Sequence, residues 1–193
     1  MENSRFLKVD EKYYISTTST YADDRTRVLN DSDTFGVFDR WGDIQPIGQE
    51  AQGLYHEGTR FLSALELQLN GKRPLLLSSS IKEENEVLSV DLTNPEYSED
   101  EIVVHQGMLH ISRKKFIKHG ACFENIQLTN YDIQDHTLTL VIMADADFKD
   151  IFEVRGMKRS KRGKQGTCCM ENDTMILSYR GLDKVERKTE ITF

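Results

Sequence analysis

Histidines and carboxylates are the groups in this chain that could do acid–base work or hold a metal. His105 and His110 fall on the two arms of an expected hairpin around Gln106-Gly107, which would bring them close in space. A metal site needs at least one more ligand, and the neighbouring sequence offers none at a recognisable spacing, so no metal is expected. With Glu124, the same histidines are candidates for a base–acid pair at a sugar anomeric carbon. The simpler reading is ordinary strand histidines at a surface. Asp145 and Asp147 share one strand parity and would stand roughly 6.5 Å apart by strand rise. Glycoside hydrolysis brackets a bond with carboxyls on opposite sides, and two side chains on one face seldom do that. No residue is therefore assigned a catalytic role.

Arg60 follows the pair Tyr55-His56, and Arg155 stands just past the longest expected strand. The planar fork of arginine suits a carboxylate or a pair of sugar hydroxyls, and equally a structural ion pair. Trp41, the only tryptophan, has Tyr55 and Phe61 near it in sequence. Such rings stack on the apolar face of a sugar or anchor a core or an interface. Trp41, Tyr55, His56, Arg60 and Arg155 are thus the candidate contacts for carbohydrate or for a neighbouring domain. Phosphate loops, dinucleotide fingerprints, zinc helices and serine-hydrolase elbows have no match. No cofactor is expected.

The chain has 193 residues and a net charge of −7. A chain of this size buries enough surface to hold a core without disulfides. The acidic balance argues against a general nucleic-acid binder, which neutralises phosphate with a basic surface. One basic run, Lys158, Arg159, Lys161, Arg162 and Lys164, lies among glycines and reads as a solvated loop. No stretch is apolar enough to span a membrane, and no apolar signal follows Met1. Cys122, Cys168 and Cys169 do not form a disulfide framework. They read as reduced thiols of a cytoplasmic protein.

The elements that must position these groups are strands. Thr34–Arg40, Leu65–Leu69, Val87–Leu92, Leu138–Phe148, Met175–Tyr179 and Val185–Phe193 alternate with period two. Asn70-Gly71 is the pair a type I′ turn prefers, and it predicts a hairpin into Pro74–Leu77. Phe116–Asn130 reads as one long extended stretch, and a short strand is expected from Ile44. Gly48–Leu54 reads as a loop or one helical turn. Helical spacing is almost absent. The fold class expected is all-β, a large antiparallel β-sandwich of the supersandwich kind, with little helix. Residues 1–32 form a weakly patterned edge, and 33–193 the sandwich domain. The pattern stops on Phe193 without a polar tail, so further residues are expected after it, and the isolated chain is expected to form homodimers through the uncovered strand.

Several blocks also carry a family resemblance. They are Asp33-Thr34-Phe35, Asp39-Arg40-Trp41-Gly42-Asp43-Ile44, Gly53-Leu54-Tyr55-His56 with Thr59-Arg60-Phe61-Leu62-Ser63, Leu69-Asn70-Gly71 with Arg73–Ser79, and Ala146-Asp147-Phe148 with Asp150–Gly156. Together they resemble the N-terminal domain of bacterial glycogen debranching enzyme homologues of the amylo-α-1,6-glucosidase type. The resemblance implies a many-stranded sandwich preceding a helical barrel that carries the glycosidase carboxylates. It implies a non-catalytic domain whose partners are that C-terminal barrel of the same polypeptide and α-glucan, with no nucleic acid and no membrane. Where members often read Asp-Thr-Arg, this chain has Gly58-Thr59-Arg60, so any pairing made by that aspartate is absent here. A free-standing carbohydrate-binding module and a sandwich-fold sugar epimerase or mutarotase are the other readings.

Overall fold

Period-two patterning becomes strand after strand in the computed structural model, which describes residues 6–9, 12–15, 26–45, 51–82, 85–99 and 102–193. β1 (Phe6–Val9) and β2 (Lys12–Ile15) pair with each other. β3 (Arg27–Asp31), β4 (Thr34–Phe38), β5 (Gly53–His56) and β6 (Thr59–Leu62) form a sheet in chain order. Next come β7 (Ala64–Leu69), β8 (Leu75–Lys82), β9 (Val87–Thr93), β10 (Tyr97–Glu99), β11 (Ile102–Val104), β12 (Leu109–Lys118), β13 (Ala121–Asn130) and β14 (Leu140–Asp145). Of these, β13-β12-β9-β8 make a second sheet, while β14 pairs β7 and β10 pairs β11. After the one-turn helix α1 (Ile151–Val154) come β15 (Lys164–Gln165), β16 (Cys169–Glu171), β17 (Thr174–Arg180) and β18 (Glu186–Thr192). β17 is the spine of this last sheet. Every pairing is antiparallel, so the chain is an all-β sandwich with almost no helix.

The core lies between the inner faces. β9 sends Leu88, Val90 and Leu92 inward, and β7 sends Leu65, Leu67 and Leu69. They meet Leu29 of β3, Phe38 of β4, Leu62 of β6, and Ile111 and Ile117 of β12. Each such aliphatic side chain removed from water stabilises the fold by about 1.5–3 kcal/mol before entropy is counted.

Three connections depart from the local reading. Asn70 and Gly71 do take the positive φ of a type I′ turn, 48° and 72°, and Leu69 and Lys72 close it with two backbone hydrogen bonds. The strands on either side then part, because β7 pairs β14 and β8 pairs β9. Pro74 has no N–H with which to continue a ladder, and its carbonyl accepts the indole N–H of Trp41 at 2.9 Å. Gln106-Gly107 likewise joins strands that never pair, since β11 pairs β10 while β12 lies between β9 and β13. The Asn94 side chain takes the partners a hairpin would have used, donating to the His105 carbonyl and accepting from Leu109 N–H. Finally, the stretch Phe116–Asn130 is a hairpin rather than one strand. His119 and Gly120, with φ of 52° and 77°, turn β12 into β13.

Gly53 and Leu54 open β5, and Ile44 makes a single bridge to Leu65 instead of a strand. Of the weakly patterned edge, residues 1–5, 10, 11 and 16–25 lie outside the described residues, as does Gly48–Glu50 of the expected loop.

Candidate functional site

β12 points Leu109, Ile111, Arg113, Lys115 and Ile117 into the sandwich. Two cations therefore occupy core positions, each 1% exposed. Unpaired, such charges would cost several kcal/mol apiece. Register supplies their partner: Glu124 of β13 stands directly opposite Lys115. Glu124 accepts the Lys115 ammonium on one oxygen and Arg113 Nε on the other, the latter at 2.6 Å. Arg113 Nη1 also donates to Asp43 at 2.6 Å and to the Trp41 carbonyl at 2.8 Å. Arg73 completes the set, bonding both Asp39 and Asp43 and lying over the Trp41 ring at 4.2 Å.

The segment Asp39–Asp43 is shaped for this task. Asp39 accepts the backbone N–H groups of Trp41 and Asp43 at 2.8 and 2.9 Å. Gly42 takes φ +77°, and a Cβ there would stand 3.2 Å from Lys115 Cε. Three carboxylates thus face three cations, and the network is formally neutral. Burial works against ionised Glu124, but the Lys115 and Arg113 charges prevail and hold its carboxyl below the ordinary range. Burial, reinforced by the like charge of Arg113, lowers the Lys115 ammonium. Burial also raises Asp39, over the pull of Arg73.

Beside this network lies a cavity of about 600 Å³. Its walls come from β4, β5 and β6, the β12–β13 hairpin, β14 and β18. Phe38, Leu62, Leu65, Ile126 and Ile142 give it an apolar lining, while Lys115, Glu124, His56 and Thr34 bring polar groups. His56 Nδ1 and Thr34 Oγ1 share a hydrogen bond of 2.8 Å. A concave, mostly apolar space with a few convergent polar groups is what small-ligand sites look like.

The residues singled out from sequence are distributed unevenly around it. Tyr55 and His56 both line the cavity. Tyr55 is fully buried, stacked on Phe35 at 4.6 Å, and its hydroxyl donates to the Ala51 carbonyl. Trp41 belongs to the ion network. Arg60 grips Asp147 with both arms of its fork and donates Nη1 to the Gln52 carbonyl at 3.1 Å. Arg60 thus takes its carboxylate partner from 87 residues downstream. Arg155 is exposed, at the end of α1.

Two proposed groupings do not assemble. Glu124 faces inward, whereas His110 bonds Asp91 and exposed His105 bonds Glu96. β14 ends at Asp145, so Asp145 and Asp147 share no strand face. The basic run is exposed but folded back, with Arg159 on Asp150 and Arg162 on Glu153. Among the described residues no cluster of three metal-ligating side chains forms.

Arg113 and Lys115 are what the sequence reading missed. The available signal was parity, because both continue the inward positions of Leu109 and Ile111 up to Ile117.

Residues 29–193 match a family model described as the N-terminal domain of (some) glycogen debranching enzymes. No curated protein and no solved structure matches the chain.

Proposed function

This chain belongs to the family of N-terminal domains of some glycogen debranching enzymes, and on that premise we propose that it is the non-catalytic sandwich that stabilises and orients a helical glycosidase barrel and contacts α-glucan. The observation that carries the non-catalytic reading is Glu124, whose two oxygens are tied to Arg113 and Lys115. A glycosidase acid needs a raised pKa, and its partner must face it across the scissile bond. Glu124 is instead held ionised by two cations. His56 at the cavity and Arg155 on the surface are the positions proposed to meet glucan or the barrel, while fully buried Tyr55 supports the cavity wall behind His56. Trp41 and Arg60 act behind them, Trp41 under the Arg73 that pairs Asp39 and Asp43, and Arg60 by tying β6 to Asp147 and the Gln52 carbonyl. The unpaired thiols of Cys122, Cys168 and Cys169 fit a reducing, cytoplasmic setting.

The test is made with the 193-residue chain and a separately produced barrel. Alone, the chain releases no glucose from α-1,6-branched glucan. Added to the barrel, it raises the temperature at which the barrel loses activity. Glucose release by the chain alone, abolished by changing one of its own carboxylates, would overturn the proposal.

A further inference from the structure

We propose that the cavity beside Glu124 is a binding site for a single neutral hexose unit, either a free sugar or the end of a glucan chain. The proposal deepens the α-glucan reading above and rests on it for the choice of sugar.

Three observations point to this ligand class. The first is unspent hydrogen-bonding capacity. Lys115 carries three N–H donors, yet among the described residues it meets one acceptor, Glu124. Among the described residues Glu124 accepts two hydrogen bonds, although a carboxylate has about four lone-pair positions. A hydroxyl group donates one hydrogen bond and accepts others, so a polyol can meet the open side of Glu124 and the His56 ring together. Glu124 is the group an entering ligand meets first, since 17% of its side chain is open while Lys115 lies behind it. His56 adds a ring nitrogen that no described residue engages, its other nitrogen being held by Thr34.

The second observation is charge. Lys115 and Glu124 compensate each other, and Lys188 and Glu190, two residues apart on β18, add one charge of each sign to the lining. An anionic ligand would find no net positive field here, and a cationic ligand no net negative one. An uncharged ligand with many hydroxyls loses nothing by this balance.

The third is shape. The cavity holds about 600 Å³, within the range of small-molecule sites, and is too small for a folded partner. Phe38, Ile126 and Ile142 supply apolar walls for the C–H face of a sugar ring.

Binding is measured by isothermal titration of the full chain with glucose, maltose and a phosphorylated glucose, and by co-sedimentation with glycogen. Glu124→Gln removes the acceptor but also strips Lys115 of its counter-charge, so it can fail through folding alone. Ile126→Trp is the decisive variant, because Ile126 shares the inward parity of Glu124, is half-buried at the cavity wall and takes no part in the ion network. His56→Ala is the second. Both are expected to weaken maltose binding at least tenfold, about 1.4 kcal/mol, with the thermal midpoint measured alongside. The phosphorylated sugar is expected to bind more weakly than glucose.

Glucose and maltose binding that both variants weaken, with no glycogen co-sedimentation, keeps the cavity assignment, identifies free sugar as the source and defeats the α-glucan reading, whereas sugar binding that both variants leave unchanged overturns the cavity assignment. Glycogen binding that both variants leave unchanged places glucan elsewhere and overturns the cavity assignment alone. Tighter binding of the phosphorylated sugar, or no sugar binding at all, also overturns it.

Discussion

Replacing Glu124 with glutamine keeps the shape of the side chain and removes its charge. Lys115 is then left 1% exposed, beside Arg113, with no carboxylate of its own. Arg113 keeps Asp43, so the damage concentrates on the lysine. Breaking a buried pair by removing one partner costs about 3–5 kcal/mol, a large share of a total stability of roughly 5–15 kcal/mol. With a urea slope near 2 kcal/mol per molar, that loss moves the unfolding midpoint down by about 1.5–2.5 M. Trp41 is the only tryptophan, and its carbonyl accepts Arg113, so its fluorescence reports the network directly. The double variant Lys115→Met, Glu124→Leu removes both charges and is expected to recover most of the loss, as whole buried pairs replaced by apolar groups often do. A single variant within about 1 kcal/mol of the parent chain would refute the reasoning, as would a double variant no more stable than the single.

Gly53→Ala is expected to cost about 1–3 kcal/mol as an overpacking change, because its Cβ would fall 2.5 Å from Arg60 Cδ and 3.0 Å from the Leu62 carbonyl; denaturant titration measures it. Burial works against ionised Asp147, but Arg60 prevails and its carboxyl lies below the ordinary 3.8, so its stabilising contribution is present above that value and is lost as pH falls through the lower folded one. Asp147→Asn should therefore show a smaller drop in melting temperature between neutral pH and the acid range than the parent chain, and an unchanged drop would remove Asp147 from the account. The chain is expected to form dimers at high concentration, because β18 has only β17 as ladder partner among the described residues and Phe193 is 64% exposed. Repulsion from the net charge of −7 opposes this weakly at physiological salt, and sedimentation giving a monomer at every concentration would count against it.

One side of the ion network lies within the blocks that carry the family resemblance, whereas Arg113, Lys115 and Glu124 lie outside them. Asp39, Trp41, Gly42, Asp43 and Arg73 recur in both roles. Such a network is demanding: each oxygen and each N–H must find its partner at one geometry, so few sequences satisfy it. Apolar core positions accept many residues and leave a weaker mark.

By itself the sequence determined the fold class, the main strands and the type I′ turn at Asn70-Gly71. These depend on alternation and on φ preferences, which act over a few residues. Strand partnership was a different matter. Whether β7 pairs β8 or β14 depends on Pro74, Trp41 and the competing edges of two sheets, and no local pattern contains that choice. The same holds for Arg60 and Asp147, joined across 87 residues, and for Glu124 with Arg113 and Lys115. A single side chain says what it can bond, but only the register of packed strands decides which partner comes within 3 Å, and a buried charge is tolerable only where that partner arrives.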